Sequence, residues 1–189
     1  MLTYRDPLPH TPHRVLLLGV TGVGKSTLGK TLSELWGLPY TNLDEIHWGP
    51  GWTERPGFRD EATALAATDQ WITEWQYWSK GFKNTLGDRA DTFIWLNFPR
   101  PIAWQRLFRR TLQRWRTREE AYEGCLEPPI WKVLTDENHI LRWEAKTHST
   151  WREREPSLSE EFPHGTFIEL RSPRQVRHWL SGPALEQKR

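Results

Sequence analysis

The chain has 189 residues, enough for one well-buried α/β core and too few for two large domains. Its 24 acidic and 26 basic residues nearly cancel to a net charge of +2, which removes any general electrostatic case for nucleic-acid or membrane binding and confines basic surface to local patches, the densest between residues 100 and 118. A single cysteine, Cys125, excludes an internal disulfide and a cysteine metal cluster, no segment approaches the ~18 apolar residues of a membrane span, and the N-terminus lacks the basic start and apolar run of a signal peptide, so a soluble cytoplasmic protein is expected.

Residues 1–13 are polar and punctuated by prolines, which predicts a flexible tail before a single domain over residues 14–181, with a short C-terminal tail over 182–189. The domain opens on the apolar run Val15, Leu16, Leu17, Leu18, read as a strand, and passes directly into Gly19-Val20-Thr21-Gly22-Val23-Gly24-Lys25-Ser26-Thr27. Every fixed position of the phosphate-loop pattern G-x-x-x-x-G-K-[ST] is filled. In such a loop the glycines let the backbone wrap around phosphates with its amides inward, and the helix that follows, here predicted over residues 26–36, turns its positive end to the anion. Gly19, Thr21, Gly22, Val23, Gly24, Lys25, Ser26 and Thr27 are therefore the expected nucleotide-binding residues. Lys25 is expected to reach the β- and γ-phosphates, Ser26 to ligate Mg²⁺, and Thr27 to donate to the α-phosphate. The plain alternative is a glycine-rich turn that binds nothing.

Gly37-Leu38-Pro39 ends the helix, and residues 40–43 are read as a short second strand. Residues 44–58 carry two Gly/Pro turns and the bulky Trp48, Trp52 and Phe58, a sticky loop expected to form the lip of an acceptor-binding insert over residues 44–69. Helices are predicted over 58–68 and 79–86, and strands over 70–73 and 92–96. A long basic helix is predicted over 101–118, with Ile102, Leu107, Phe108, Leu112 and Trp115 as its apolar positions. Residues 119–129 break this pattern, and a second long helix is predicted over 130–154, the span 104–155 serving as a lid with flanking helices. A loop over 156–165, a strand over 166–170 and a closing helix over 173–180 complete the chain. Strands alternating with helices predict a three-layer α/β/α fold on a mostly parallel five-stranded sheet, with ligands gathered beyond the carboxyl ends of the strands. The thirteen tryptophans are scattered rather than periodic, so no repeat is indicated, and many are expected in the core beside groups that accept the indole N–H.

Absences narrow the class of phosphate-loop protein. Neither Asn-Lys-x-Asp nor Asp-x-x-Gly occurs, which disfavours a GTPase; Leu-Ser-Gly-Gly-Gln is missing, and the strand over 92–96 ends in Asn97 rather than the Asp-Glu of motor ATPases. A compact kinase-like protein remains. The run Asn42-Leu43-Asp44-Glu45-Ile46-His47-Trp48-Gly49-Pro50-Gly51-Trp52, then Trp71-Ile72, Leu96-Asn97-Phe98-Pro99-Arg100, Glu123-Gly124-Cys125 and Leu170-Arg171-Ser172, resembles the DNA topology modulation proteins, which are adenylate-kinase-like P-loop NTPases. Despite that family's name, the resemblance implies a nucleoside- or adenylate-kinase-like fold with a helical lid, using ATP and Mg²⁺.

Residue by residue, the resemblance implies that Asp44 takes the acceptor hydroxyl's proton or supports the metal, its alternative being a capping aspartate. Where the family shows Asp-Gly-Asn-Tyr, this chain has Glu74-Trp75-Gln76-Tyr77; Glu74 is expected to hold a metal-bound water, while Trp75 is expected to fill space near the acceptor, which leaves room for reduced or lost turnover. Arg106 and Arg110, four residues apart on one helix face and bordered by Arg109 and Arg114, are implied to fold over the phosphates, the alternative being a solvated basic face. Arg171 is implied to lie beside the nucleotide base, and Ser172 to cap the closing helix ahead of Pro173. His47 is either an acceptor contact or a packed histidine, and His139, His148, His164 and His178 show no metal-ligand spacing. The leading expectation is a phosphotransferase acting on a nucleotide or other small-molecule acceptor. The second is a nucleotide-regulated nucleic-acid-binding protein, suggested by Trp104, Phe108 and Trp115 interleaved with arginines; the third is a relative that only binds. Oligomeric state is not legible in the chain.

Overall fold

The computed structural model describes residues 1–137 and 139–186, without the side chains of residues 147–156. Five parallel strands form the central sheet: β1 (Arg14–Leu18), β2 (Tyr40–Thr41), β5 (Trp71–Glu74), β6 (Thr92–Leu96) and β9 (Thr166–Leu170), in the order β2-β5-β1-β6-β9. β1 runs down the middle, registering Leu17 against Glu74 of β5 on one side and against Ile94 of β6 on the other. That placement sets the loop after β1 and the end of β5 side by side at the carboxyl edge of the sheet.

The period-2 alternation of the strands divides the core into two chemically different faces. Val15, Leu17, Ile72, Ile94, Leu96, Ile168 and Leu170 make an aliphatic face covered by α1 (Lys25–Trp36) and α7 (Pro173–Ser181). Leu16, Leu18, Trp71, Phe93, Trp95 and Phe167 make an aromatic face, covered by α3 (Phe58–Ala67), α4 (Phe82–Gly87) and the end of α6 (Ile140–Glu161). Phe93 stacks on Phe167 with centroids 4.3 Å apart and also meets the Trp75 and Phe162 rings. The indole nitrogens behave unequally. Trp36, Trp52 and Trp75 donate to the carbonyls of Ala184, Leu126 and Lys83, whereas the buried Trp71 and Trp179 have no acceptor.

Several boundaries differ from the sequence reading. The second strand is only two residues long, because Asn42 caps a short helix, α2 (Leu43–His47), its side chain accepting the Asp44 N–H. The expected loop over 44–58 folds as this helix followed by a small hairpin, β3 (Trp48–Gly49) with β4 (Thr53–Glu54). The break after the basic helix α5 (Arg100–Thr117) is a second hairpin, β7 (Glu120–Tyr122) with β8 (Cys125–Leu126), turned at Gly124 with φ +68°. The long helix expected from residue 130 starts ten residues later: residues 130–134 form a 3₁₀ turn, and α6 begins after His139, whose ring accepts the Leu141 N–H. At its other end α6 continues past residue 156, because Leu158 and Phe162 bury themselves against the aromatic face and reward the extra turns.

The N-terminal segment is also a correction. The expected flexible tail instead packs on the sheet: Leu2 pairs with β9 by donating to Phe167 O and accepting from Glu169 N, Leu8 is fully buried, and His10 hydrogen-bonds Thr92. Prolines and polar residues made this stretch look solvent-loving, but Leu2 and Leu8 supply enough apolar surface to anchor it. Among the described residues no helix is long and apolar enough to cross a membrane.

Candidate active site

The loop between β1 and α1 has the shape its glycines allow. Gly19, Gly22 and Gly24 take φ of +134°, +88° and +105°, values that L side chains rarely adopt. Gly22 is needed twice over, since a Cβ there would stand 2.7 Å from Ala103 O and 2.8 Å from Leu107 Cβ, both in α5. The loop is thus pressed against the root of the lid. Val23 is buried beneath it, Thr21 is half-buried, and Thr27 is exposed on the first turn of α1.

Lys25, 9% exposed, donates to Gly19 O at 2.9 Å and to Val20 O at 3.4 Å, and lies 3.5 Å from Glu74 Oε2. Ser26 Oγ donates to Glu74 Oε1 at 2.6 Å, so the two residues expected to serve the metal are in contact. Tyr40 donates to the same oxygen at 3.0 Å and Gln76 to Oε2 at 2.9 Å. Tyr40 reaches it across α1 because residue 29 is glycine: a Cβ at Gly29 would be 2.3 Å from the tyrosine ring. Glu74 is 3% exposed, and this ring of donors is what compensates the burial of its carboxylate. Burial, and next the Glu74 charge, push the Tyr40 phenol far above its usual range, which keeps it a donor.

Asp44 lies at the other end of the same cluster. Tyr77, in the left-handed region at φ +57°, donates a short hydrogen bond to Oδ1, and Tyr122 from hairpin β7–β8 donates to Oδ2 at 3.2 Å. Desolvation raises the Asp44 pKa above the ordinary carboxylate range, opposed in part by the Tyr77 bond, while the Glu74 charge raises it further and Lys25 lowers it. Burial and the Asp44 charge drive both phenols well upward, so each stays protonated and donating. The capping role at this site falls to Asn42 and not to Asp44.

Of the lid arginines, Arg106 donates from Nη1 to Val23 O at 2.9 Å and lies over the Phe98 ring, bracing the phosphate loop from the side. Arg110 presents an exposed surface, yet protein crowds its guanidinium; that desolvation, with Arg114 next to it, lowers its pKa while Tyr122, Glu127 and Glu74 raise it, and it remains a cation. Arg114 pairs with the buried Glu127 at 3.7 Å, and burial raises the Glu127 pKa against the pull of Arg110 and Arg114. Arg171 turns outward to Glu169 at 2.8 Å, which raises its pKa, and Ser172 caps α7 as expected, accepting from Gln175 N.

One expectation about this region changes, that for Trp75, while His47 takes the packed one of its two readings. Trp75 does not fill acceptor space: it is 1% exposed, points into the aromatic core against Phe93 and Phe162, and donates to Lys83 O. Residue alternation along β5 puts Glu74 toward the site and Trp75 away from it. His47, 3% exposed, is packed between the rings of Trp48, Phe58 and Tyr77, and desolvation followed by the Lys80 charge lowers its pKa. The side chain of His148 lies outside the described residues, and among the described residues no three His, Cys, Asp or Glu side chains gather to hold a metal. The sequence reading missed Tyr40, Tyr77, Tyr122 and Glu127. Alternation around Glu123-Gly124 is a hairpin signal that could have flagged Tyr122.

No protein-family model matches the chain, and no curated protein matches it in sequence. Solved structures do match. A gluconokinase from Sinorhizobium meliloti 1021 is similar with a TM-score of 0.52 at 19% identity, over 92% of this chain and 93% of its own. The shikimate kinase from Acinetobacter baumannii, in complex with shikimate, is similar with a TM-score of 0.52 at 18% identity, over 93% of this chain and 90% of its own. The fold is that of the P-loop kinases, on a five-stranded parallel sheet, across nearly the whole chain.

Proposed function

We propose that the protein is an ATP- and Mg²⁺-dependent phosphotransferase acting on a small molecule or nucleotide. The observation that carries this reading is a pair of polar clusters at the carboxyl edge of the sheet, Ser26 and Gln76 bonded to Glu74 and Tyr77 bonded to Asp44, with Gln76 and Tyr77 adjacent in the chain. A phosphate loop at one end and a desolvated carboxylate at the other are the two requirements of phosphoryl transfer, charge neutralisation and an oriented nucleophile.

The donor set suits Mg²⁺, since a hydroxyl and one carboxylate, both hard oxygen ligands, are 2.6 Å apart and in contact with a lysine. Mg·ATP when bound supplies the transferable phosphoryl group and screens its charge. Lys25 and the loop amides would bind the phosphates, and Ser26 and Glu74 would hold the cation. Asp44 would take the acceptor's proton, its raised pKa making it a better base once ionised. Arg106 and Arg110 would close the phosphate side, and Arg171 would border the base. An ATP donor and a free thiol at Cys125 fit a cytoplasmic setting.

Screening hydroxyl and phosphate acceptors with Mg·ATP tests the proposal. A phosphorylated product made by the wild type and lost in Lys25→Ala and Asp44→Ala is the expected result; absence of any Lys25-dependent product across acceptor classes removes it.

A second reading, nucleotide-regulated nucleic-acid binding, draws on Trp104, which is 40% exposed and stacked on Phe108 along the basic helix α5. It is the weaker one, because the resemblance to DNA topology modulation proteins rests on sequence motifs alone and Arg100, Arg106 and Arg114 already have partners within the protein. Salt-sensitive binding of single-stranded DNA that is lost in Trp104→Ala with Arg109→Ala would favour it.

A further inference from the structure

The lid tip is bonded to the opposite wall of the acceptor site. Gly51 N–H donates to Gly124 O at 2.9 Å, Trp52 Nε1 donates to Leu126 O at 2.8 Å, and Cys125 Sγ lies 3.1 Å from Gly49 O. These contacts tie hairpin β7–β8 to hairpin β3–β4 and carry Tyr122 edge-on to Trp52, with ring centroids 6.0 Å apart. In that docked position the Tyr122 hydroxyl meets Asp44 Oδ2.

The two tyrosine bonds to Asp44 therefore differ in kind. Tyr77 lies three residues past the end of β5 and belongs to the wall on that side, whereas Tyr122 arrives from hairpin β7–β8, 78 residues away in sequence. In a kinase that uses Asp44 as its base, the acceptor hydroxyl has to donate to an Asp44 oxygen, and Oδ1 is already held by Tyr77.

We propose that Tyr122 is a specificity-determining positioning residue: its phenol holds the place at Asp44 Oδ2 that an acceptor hydroxyl takes. This rests on the kinase reading above. An acceptor hydroxyl that takes this place displaces the phenol, with binding energy drawn from the rest of its contacts in the pocket. Water has no such contacts. Tyr122 thereby protects the phosphoryl group from hydrolysis, the side reaction in which a water oxygen bonds to the γ-phosphorus, the bond to the β–γ bridging oxygen breaks and the water's proton passes to Asp44.

The experiment compares Mg·ATP hydrolysis, with no added acceptor, in the wild type, Tyr122→Phe and the double variant Tyr122→Phe/Asp44→Asn. Phenylalanine keeps the ring and removes only the hydroxyl. Tyr122→Phe is expected to hydrolyse about tenfold faster than the wild type, the scale set by one hydrogen bond to a charged group. The double variant is expected to lose the gain. Amide hydrogen exchange at Gly51 supplies a readout independent of turnover, and it is expected to quicken in Tyr122→Phe as the docked hairpins loosen. Hydrolysis by Tyr122→Phe no faster than wild type, in a protein that still binds Mg·ATP, overturns the proposal. A wild type that binds no Mg·ATP, or whose turnover is indifferent to Lys25→Ala, fails the kinase reading itself, and the proposal falls with it whatever Gly51 exchange does.

Discussion

The phosphate side of the proposed site and its proposed acceptor side are built from different materials. On the phosphate side the shape is a property of the backbone: three positive-φ glycines within nine consecutive residues, followed by a helix whose first residue is the lysine. On the acceptor side the shape comes from side chains brought together by tertiary structure, Asp44 with Tyr77 and Tyr122, which are 33 and 78 residues distant. The first can be written as a motif, because chain neighbours are also neighbours in space. The second cannot, because any of its contacts can be exchanged for another of similar chemistry without leaving a fixed spacing behind.

Substitutions on the two sides should break the site in correspondingly different ways. Lys25→Ala should have the largest effect, a loss of about 10³-fold in Mg·ATP turnover, since it deletes the charge aimed at the phosphates and leaves buried Glu74 without its cation; steady-state kinetics with isothermal titration of Mg·ATP checks it. Gly22→Ala should cost about 3 kcal/mol of folding stability through backbone strain and the clash with α5. Gly51→Ala on the β3–β4 hairpin, at φ +68° where an added Cβ would meet no atom within 4 Å, should cost only about 1 kcal/mol. Equal losses for these two in denaturant unfolding would erase the distinction drawn here. Asp44→Asn should lower acceptor phosphorylation about 10²-fold while leaving Mg·ATP affinity near that of the wild type, a separation of kcat from nucleotide binding that Lys25→Ala should not show.

The smallest effect concerns pH. His47 has its folded pKa held below the ordinary histidine value by burial, so below pH ~6.5 the unfolded chain takes up a proton that the folded chain resists. Its contribution to stability is therefore present above that pH and is lost as pH falls toward the folded value. His47→Phe, which keeps a ring between Trp48, Phe58 and Tyr77, should lose less of its Tm between pH 7 and pH 5 than the wild type. Asp44 and Glu127, with raised folded values, act in the opposite sense, and being common to both proteins they cancel in the comparison.

The same contrast explains how far the sequence could be read. The strands over 92–96 and 166–170 fall where the alternation and composition placed them, and α5 begins and ends within a residue of its expected bounds, because each is a long, patterned segment. The parallel sheet followed from the order of those segments, and the kinase-like fold from the phosphate-loop motif, the absent signatures and the family resemblance. What escaped were short elements stabilised from outside: the two hairpins, the displaced start of α6 and its extension to Glu161, and the docked N-terminus. Ser26 and Glu74 were named for the metal from motif and resemblance, and they touch. Trp75 was misplaced for want of one fact, the face of β5 from which it projects.

The docked N-terminus has a practical reach beyond the fold. β9 is an outer strand of the sheet, and the opposite outer strand, β2, has only two residues to offer a neighbour. A bare β9 would expose a row of backbone donors and acceptors to any other chain with a strand to add. Leu2, bonded on both sides of Ile168 and anchored by Leu8 further along, occupies part of that row. Trimming the first residues to tidy an expression clone would remove a guard against edge-to-edge aggregation, so a purification tag is better carried at the other end of the chain.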